Sequence, residues 1–136
     1  MAYTPTAYVL DAWAIMAYLE DQPAAEAVER LIIVARERQI PLLMTVVNAA
    51  EVWYVIARNA SEARANQRLV DIAQLGIQFV AADWPLALEA ARFNSKHKMS
   101  LADCFAAALA GQNQAELLTA DAEFKQVDKD LKIRWL

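Results

Sequence analysis

The sequence predicts an α/β fold: a three-layer α/β/α sandwich around a central, mostly parallel sheet of four to five strands. Three observations predict it. Short runs such as Tyr8-Val9-Leu10 and Leu42-Leu43-Met44 are continuously apolar, as strands covered on both faces are. Longer segments of helical periodicity separate them. The resulting order is strand, helix, helix, strand, helix, helix, strand, helix, helix, strand, helix, strand. It gives each parallel strand the crossover it needs. No linker, repeat or low-complexity stretch interrupts the 136 residues, so a single domain over 1–136 is expected.

Taken in order, strand 8–10 ends at Asp11 and leads into a short helix over 12–20. Pro23 is expected to open the next helix, in the first-turn position that suits a residue without an N–H. Val28, Leu31, Ile32 and Ala35 form its inner face, and Arg36 to Gln39 close it in a polar cluster. Strand 41–44 runs into a helix over 45–59. There Asn48, Glu51, Val55 and Arg58 share one line, and Val46, Val47, Ala49, Ala50, Val52, Trp53, Tyr54, Ile56 and Ala57 make the rest apolar. Such a helix is expected to be buried on several sides.

Helix 61–75 turns Ala65, Leu69, Ile72 and Ala73 inward and Arg64, Arg68 and Asp71 outward, and stops at Gly76. Strand 77–80 follows. Asp83 caps a helix begun by Trp84-Pro85, whose pattern breaks over 94–98. Ser100-Leu101-Ala102-Asp103 then has capping-box form at the head of an alanine-rich helix. Gly111 is expected near its end as a C-cap. Strand 116–119 delivers Thr119 and Asp121 into a loop that turns into Ala122-Glu123-Phe124. Residues 132–136 make a last strand.

Asp11 and Asp121 follow the carboxyl ends of strands, and Asp103 starts a helix. In an open α/β sheet, ligands bind outside the carboxyl ends of the strands. Helices that follow strands start on that side, so these acids can converge there, joined by Glu51 from the first half of helix 45–59. Taken singly, each has a plainer reading: Asp11 and Asp121 as N-caps, Asp103 as a capping-box acid, Glu51 as a surface residue. Together, four close carboxylates resist ionising without a cation. Mg²⁺ or Mn²⁺ resolves that conflict, and hydrolysis of a phosphodiester by a metal-activated water is the matching reaction.

Composition narrows the classes. Hydrophobic residues make up 58% of the chain and mean hydropathy is +0.17, yet no apolar run reaches membrane-spanning length. The N-terminus lacks the early positive charge of a signal peptide, so the cytosol is expected. One cysteine, Cys104, excludes an internal disulfide and a cysteine-based zinc site, and one histidine, His97, excludes a histidine-based one. A net charge of −4 argues against nucleic-acid binding through net charge alone. With two glycines and neither GxGxxG nor GxxxxGK[ST], a phosphate-cradling loop is excluded. Lys96-His97-Lys98 and the line Arg58, Arg64 and Arg68 are candidate phosphate contacts, each also readable as solvated surface. Trp13, Tyr18, Trp53 and Tyr54 are more often core, although some are expected at an interface in so apolar a chain.

The blocks YVLDAWAIMAYLE, VVNAAEVWYVIAR, SLADCFAAALA, LLTADAEF and LKIRWL, in this order and over essentially the whole chain, resemble a PIN domain, specifically the VapC type of toxin ribonuclease. The resemblance implies Mg²⁺ or Mn²⁺ held by Asp11, Glu51 and Asp103, with Asp121 as fourth acid and Thr119 orienting a water. It implies RNA cleavage leaving a 5′-phosphate and a 3′-hydroxyl, inhibition by a VapB-type antitoxin, and a homodimer. The chain departs from the pattern at Trp13, where a small residue is usual; its indole is a candidate contact for a base or an antitoxin side chain. Two competing readings stand beside it. One is a non-catalytic α/β interaction module whose acids only cap helices. The other keeps the metal but acts on single-stranded DNA or in RNA processing. A phosphorylated receiver domain fits less well, because no paired Asp follows the first strand.

Overall fold

The computed structural model describes residues 5–136, so the start of the chain, on which the signal-peptide expectation rests, lies outside the described residues. Its elements are β1 (Tyr8–Leu10), α1 (Ala12–Leu19), α2 (Ala25–Arg38), β2 (Leu42–Thr45), α3 (Val46–Asn59), α4 (Glu62–Gln74), β3 (Ile77–Val80), α5 (Trp84–Lys96), α6 (Leu101–Asn113), β4 (Glu116–Thr119), a 3-10 helix (Ala122–Val127) and β5 (Lys132–Trp135). The strands form one sheet in the order β3-β2-β1-β4-β5, and every pairing is parallel. The chain therefore works outward from β1 to β2 and β3, then crosses back to β4 and β5. β1 and β4 flank the point where the winding reverses, and the crevice there is where such sheets bind ligands.

Strand pleating divides the core in two. Val9, Leu43 and Leu117 point to one face, under α5, α6 and the 3-10 helix. Tyr8, Leu10, Leu42, Met44 and Leu118 point to the other, against α1, α2, α3 and α4. α6 is the most buried helix. Every residue from Asp103 to Ala110 is covered, and its alanines let it lie close to β1, β2, β4 and α5 at once.

Five of the α-helices start from a capping side chain. Asp11 accepts from the Ala14 amide at 2.8 Å, Thr45 from Asn48 at 3.0 Å, and Ser61 from Arg64 at 3.0 Å. Asp83 accepts from Leu86 at 3.0 Å and Ser100 from Asp103 at 3.2 Å.

Four local expectations are corrected. Pro23 does not open α2. It sits in a preceding turn, where Asp21 has positive φ and the Gln22 carbonyl accepts from Ala25 N at 2.8 Å. Gly111 lies inside α6, because a helix tolerates glycine at a cost of about 1 kcal/mol. Gln114 at φ 50° supplies the left-handed end instead. α5 continues through Asn94 and Ser95 to Lys96, and the Asn94 amide folds forward to donate to the Met99 carbonyl at 2.9 Å. Ala73, expected inward on α4, is exposed, one position past the buried Ile72, because the inner face of the helix has already turned away. α3 packs on α4, α6, α1, β2 and β3, as expected of so apolar a helix, and keeps Val46, Ala50 and Tyr54 exposed on its remaining side. Its polar line is the part that turns inward at its start: Asn48 is fully buried and Glu51 half-buried.

Candidate active site

Register explains the first contact. β1 pairs with β4 so that Leu10 lies beside Leu118. The next residue of each strand, Asp11 and Thr119, then meets its neighbour across the carboxyl edge. The Thr119 hydroxyl donates to Asp11 Oδ2 at 2.5 Å, while Asp11 Oδ1 accepts from the first turn of α1. Both Asp11 oxygens are therefore committed to defined partners, and the residue is 1% exposed. Thr119 Oγ1 also accepts from the Asp121 amide at 3.0 Å, and Asp121 Oδ1 accepts from the Glu123 amide at 2.9 Å. One short relay thus fixes Asp11, Thr119, Asp121 and Glu123 relative to one another.

Asp103 comes to the same end on the first turn of α6. Among the described residues, Asp103, Asp121 and Glu123 have carboxylate oxygens within 4.8 Å of one another. The backbone amide of Ser100, the N-cap of α6, also lies 3.5 Å from Glu123 Oε2. Glu51 approaches from α3. The Asn48 side chain bears on its carboxylate and favours the charged form.

Electrostatics tie these groups together. Burial pushes Asp11 up to about 7 against the Thr119 and Ala14 hydrogen bonds, with smaller upward contributions from Asp121 and Glu51. Burial likewise lifts Asp103 to about 8, helped by the hydrogen bond it shares with Glu123 and by the charges of Asp121 and Asp11. Burial raises Glu51 too, and Asp121 adds to it. Glu123 is held below the usual range, chiefly by that hydrogen bond from Asp103. Asp121 is thus the common neighbour: its charge acts on Asp11, Glu51 and Asp103 alike.

Asp103, Asp121 and a fifth acid, Glu123, thus stand together, Asp11 is tied to Asp121 through Thr119, and Glu51 lies outside that close group but within reach of the Asp121 charge. Sequence reading placed Glu123 only in a loop. Its position two residues after Asp121 marks it as a neighbour of that acid, but its contact with Asp103 on α6 follows from no local pattern. An all-oxygen donor set in which burial, ahead of neighbouring charge, disfavours the ionised forms of Asp11, Glu51 and Asp103 suits a hard divalent cation. The other candidate residues make contacts of their own. Arg68 pairs with Asp71 at 3.4 Å, and Arg58 lies 4.7 Å from the centre of the Tyr54 ring. His97 packs beside Phe93, and the backbone of Lys98 is held by Gln126. Trp13 is exposed on the first turn of α1, and Tyr18 is partly buried against the core. Trp53 is partly buried and donates to Asn66 at 2.9 Å.

A family model described as PIN domain matches residues 8–130. The chain belongs to the PIN domain family. Solved structures agree in fold. VapBC2 from Rickettsia felis bound to a promoter DNA fragment is 14% identical with a TM-score of 0.76, covering 94% of this chain and 97% of that one. DNA-bound VapBC from Salmonella typhimurium is 13% identical with a TM-score of 0.73, covering 94% and 96%. VapC20 from Mycobacterium tuberculosis, described as a toxin that cleaves the sarcin-ricin loop, is 13% identical with a TM-score of 0.70, covering 89% and 95%. A search of curated proteins finds no match. The PIN fold accounts for the five parallel strands and for the acids gathered at their carboxyl ends.

Proposed function

We propose that this PIN domain is a divalent-metal-dependent endoribonuclease, the toxin component of a type II toxin–antitoxin pair, with Asp11, Glu51, Asp103 and Asp121 holding Mg²⁺ or Mn²⁺. One observation carries the reading. Asp103, Asp121 and Glu123 set carboxylate oxygens within 4.8 Å of one another, Asp11 is tied to Asp121 through Thr119, and burial, ahead of mutual repulsion, drives Asp11 to about 7 and Asp103 to about 8. Capping alone does not explain that cost, since a cap works at the protein surface with an ordinary carboxylate. A bound divalent cation would supply charge neutralisation and a water of lowered pKa.

The chain's own contribution is placement. Thr119 and the first turn of α1 hold Asp11, and the 3-10 helix holds Asp121. The starts of α1 and α6 bring positive dipole ends to the same acids. Cleavage is expected to leave a 5′-phosphate and a 3′-hydroxyl. The likeness in fold to VapBC structures supports a VapB-type antitoxin, a homodimer and a cytosolic location as parts of the same proposal. No helix of the described residues is long and apolar enough to cross a membrane.

The test is cleavage of a panel of tRNAs and ribosomal RNA fragments by purified protein. Mg²⁺- or Mn²⁺-dependent scission that EDTA abolishes, and that Asp11→Asn or Asp103→Asn loses while staying folded, is expected. Undiminished cleavage in chelator refutes the metal role. Metal-dependent cutting of single-stranded DNA but not RNA moves the substrate assignment.

A further inference from the structure

Asn48 stands one helical turn before Glu51 on α3, and it is fully buried. A buried amide needs partners for its oxygen and for both N–H groups. Its oxygen accepts from the Thr45 hydroxyl at 2.6 Å, and its backbone amide donates back to the same hydroxyl at 3.0 Å. The Ala102 carbonyl of α6, which can only accept, fixes which way the side-chain amide faces. With Oδ1 turned to Thr45, Nδ2 is left pointing across the helix interface, where it donates to the Ala102 carbonyl of α6 at 3.1 Å. Ala102 is the residue before Asp103. The same side chain also bears on the Glu51 carboxylate.

We infer that Asn48 is a positioning residue of the acidic centre. Its amide locks the distance between α3, which carries Glu51, and the start of α6, which carries Asp103. The inference rests on the metal reading above and deepens it. A hydroxyl or an aliphatic side chain at position 48 fills space but cannot bridge Ala102 and Glu51 together. Thr45 completes the bridge, because its hydroxyl donates to the amide oxygen once the Ala102 carbonyl has set the orientation. The nearby Ser100 cap holds α6 from its own first turn.

The experiment is Mn²⁺ titration by calorimetry on wild type, Asn48→Leu, Asn48→Ser and Thr45→Ser, with thermal melting of each in EDTA and in saturating Mn²⁺. The expected result is a loss of about 10- to 100-fold in Mn²⁺ affinity for both Asn48 variants, the range for residues that orient metal ligands. Thr45→Ser, which keeps the hydroxyl, should bind as wild type does. A purely structural Asn48 lowers melting temperature equally with and without Mn²⁺ and leaves affinity unchanged, which overturns the inference. Asn48→Ser covers the case in which Asn48→Leu does not fold; if neither Asn48 variant folds while Thr45→Ser binds as wild type does, Asn48 is a folding residue and the inference is overturned. If wild type itself binds no Mn²⁺, the metal reading fails and the inference falls with it, a result distinct from unchanged affinity in the variants.

Discussion

Asp11 caps a helix and lies in an acidic pit, and the two roles pull its charge in opposite directions. The Ala14 amide and Thr119 hydroxyl favour the carboxylate, while burial disfavours it and prevails, leaving the group near 7. Asparagine keeps the capping oxygen and removes the charge. Asp11→Asn is therefore expected to melt higher than wild type at pH 8 in chelator, by on the order of 1 kcal/mol, while cleavage falls roughly 100-fold or more. Paired melting and cleavage assays check both. An equal loss of stability and activity would mean that Asp11 is only a cap. At this scale the sequence showed which acids stand at strand and helix ends, because that placement is local. It did not show Glu123 sharing a hydrogen bond with Asp103, or Asn48 bridging two helices. Those contacts join residues 20 and 54 positions apart, and nothing in local spacing encodes them.

Elements were legible where apolar periodicity is strong. The strand at Ile77–Val80 and the strand at Glu116–Thr119 stand where their patterns put them, and the helix–strand order is as expected. Helix ends were less legible, because a helix stops where a polar residue can take the left-handed turn, and glutamine did so at Gln39 and Gln114. The two glycines separate these cases. Gly76 ends α4 at φ 89°, whereas Gly111 is helical, and a methyl there would meet Leu131 Cδ2 at 3.6 Å, an ordinary contact. Gly111→Ala is expected to raise stability by about 0.5–1 kcal/mol, and Gly76→Ala to lower it by about 1–2 kcal/mol. Urea titration of the two variants measures both signs. α3 is covered on several sides, as its apolar sequence implies, yet it keeps one open side. An apolar sequence says that a helix has little polar surface, not that something covers it, and here Tyr54 and Val46 remain exposed while the buried Asn48 serves the site.

At the scale of the whole molecule, the acidic centre sets how stability responds to pH. Asp11 and Asp103 titrate near 7 and 8 in the folded chain but near 3.8 when unfolded. Between about pH 4 and 8 the folded state therefore binds more protons than the unfolded state, so stability falls as pH rises through that window. Glu123 acts in the opposite sense, but only below its ordinary value of 4.5. Metal-free protein is thus expected to melt lower at pH 8 than at pH 5.5, and Mn²⁺ to reverse the difference by replacing the lost protons. Melting curves at the two pH values, with and without Mn²⁺, read this directly. The parallel sheet makes such a centre available by setting β1 beside β4, so that groups 108 residues apart meet at one edge. The most direct measurement is calorimetric titration of Mn²⁺ into metal-free protein at pH 8, beside Asp11→Asn, Asp103→Asn and Asp121→Asn. Saturable binding in the wild type that weakens in all three variants is the predicted result. No binding, or binding that none of the three changes, would contradict a shared divalent centre.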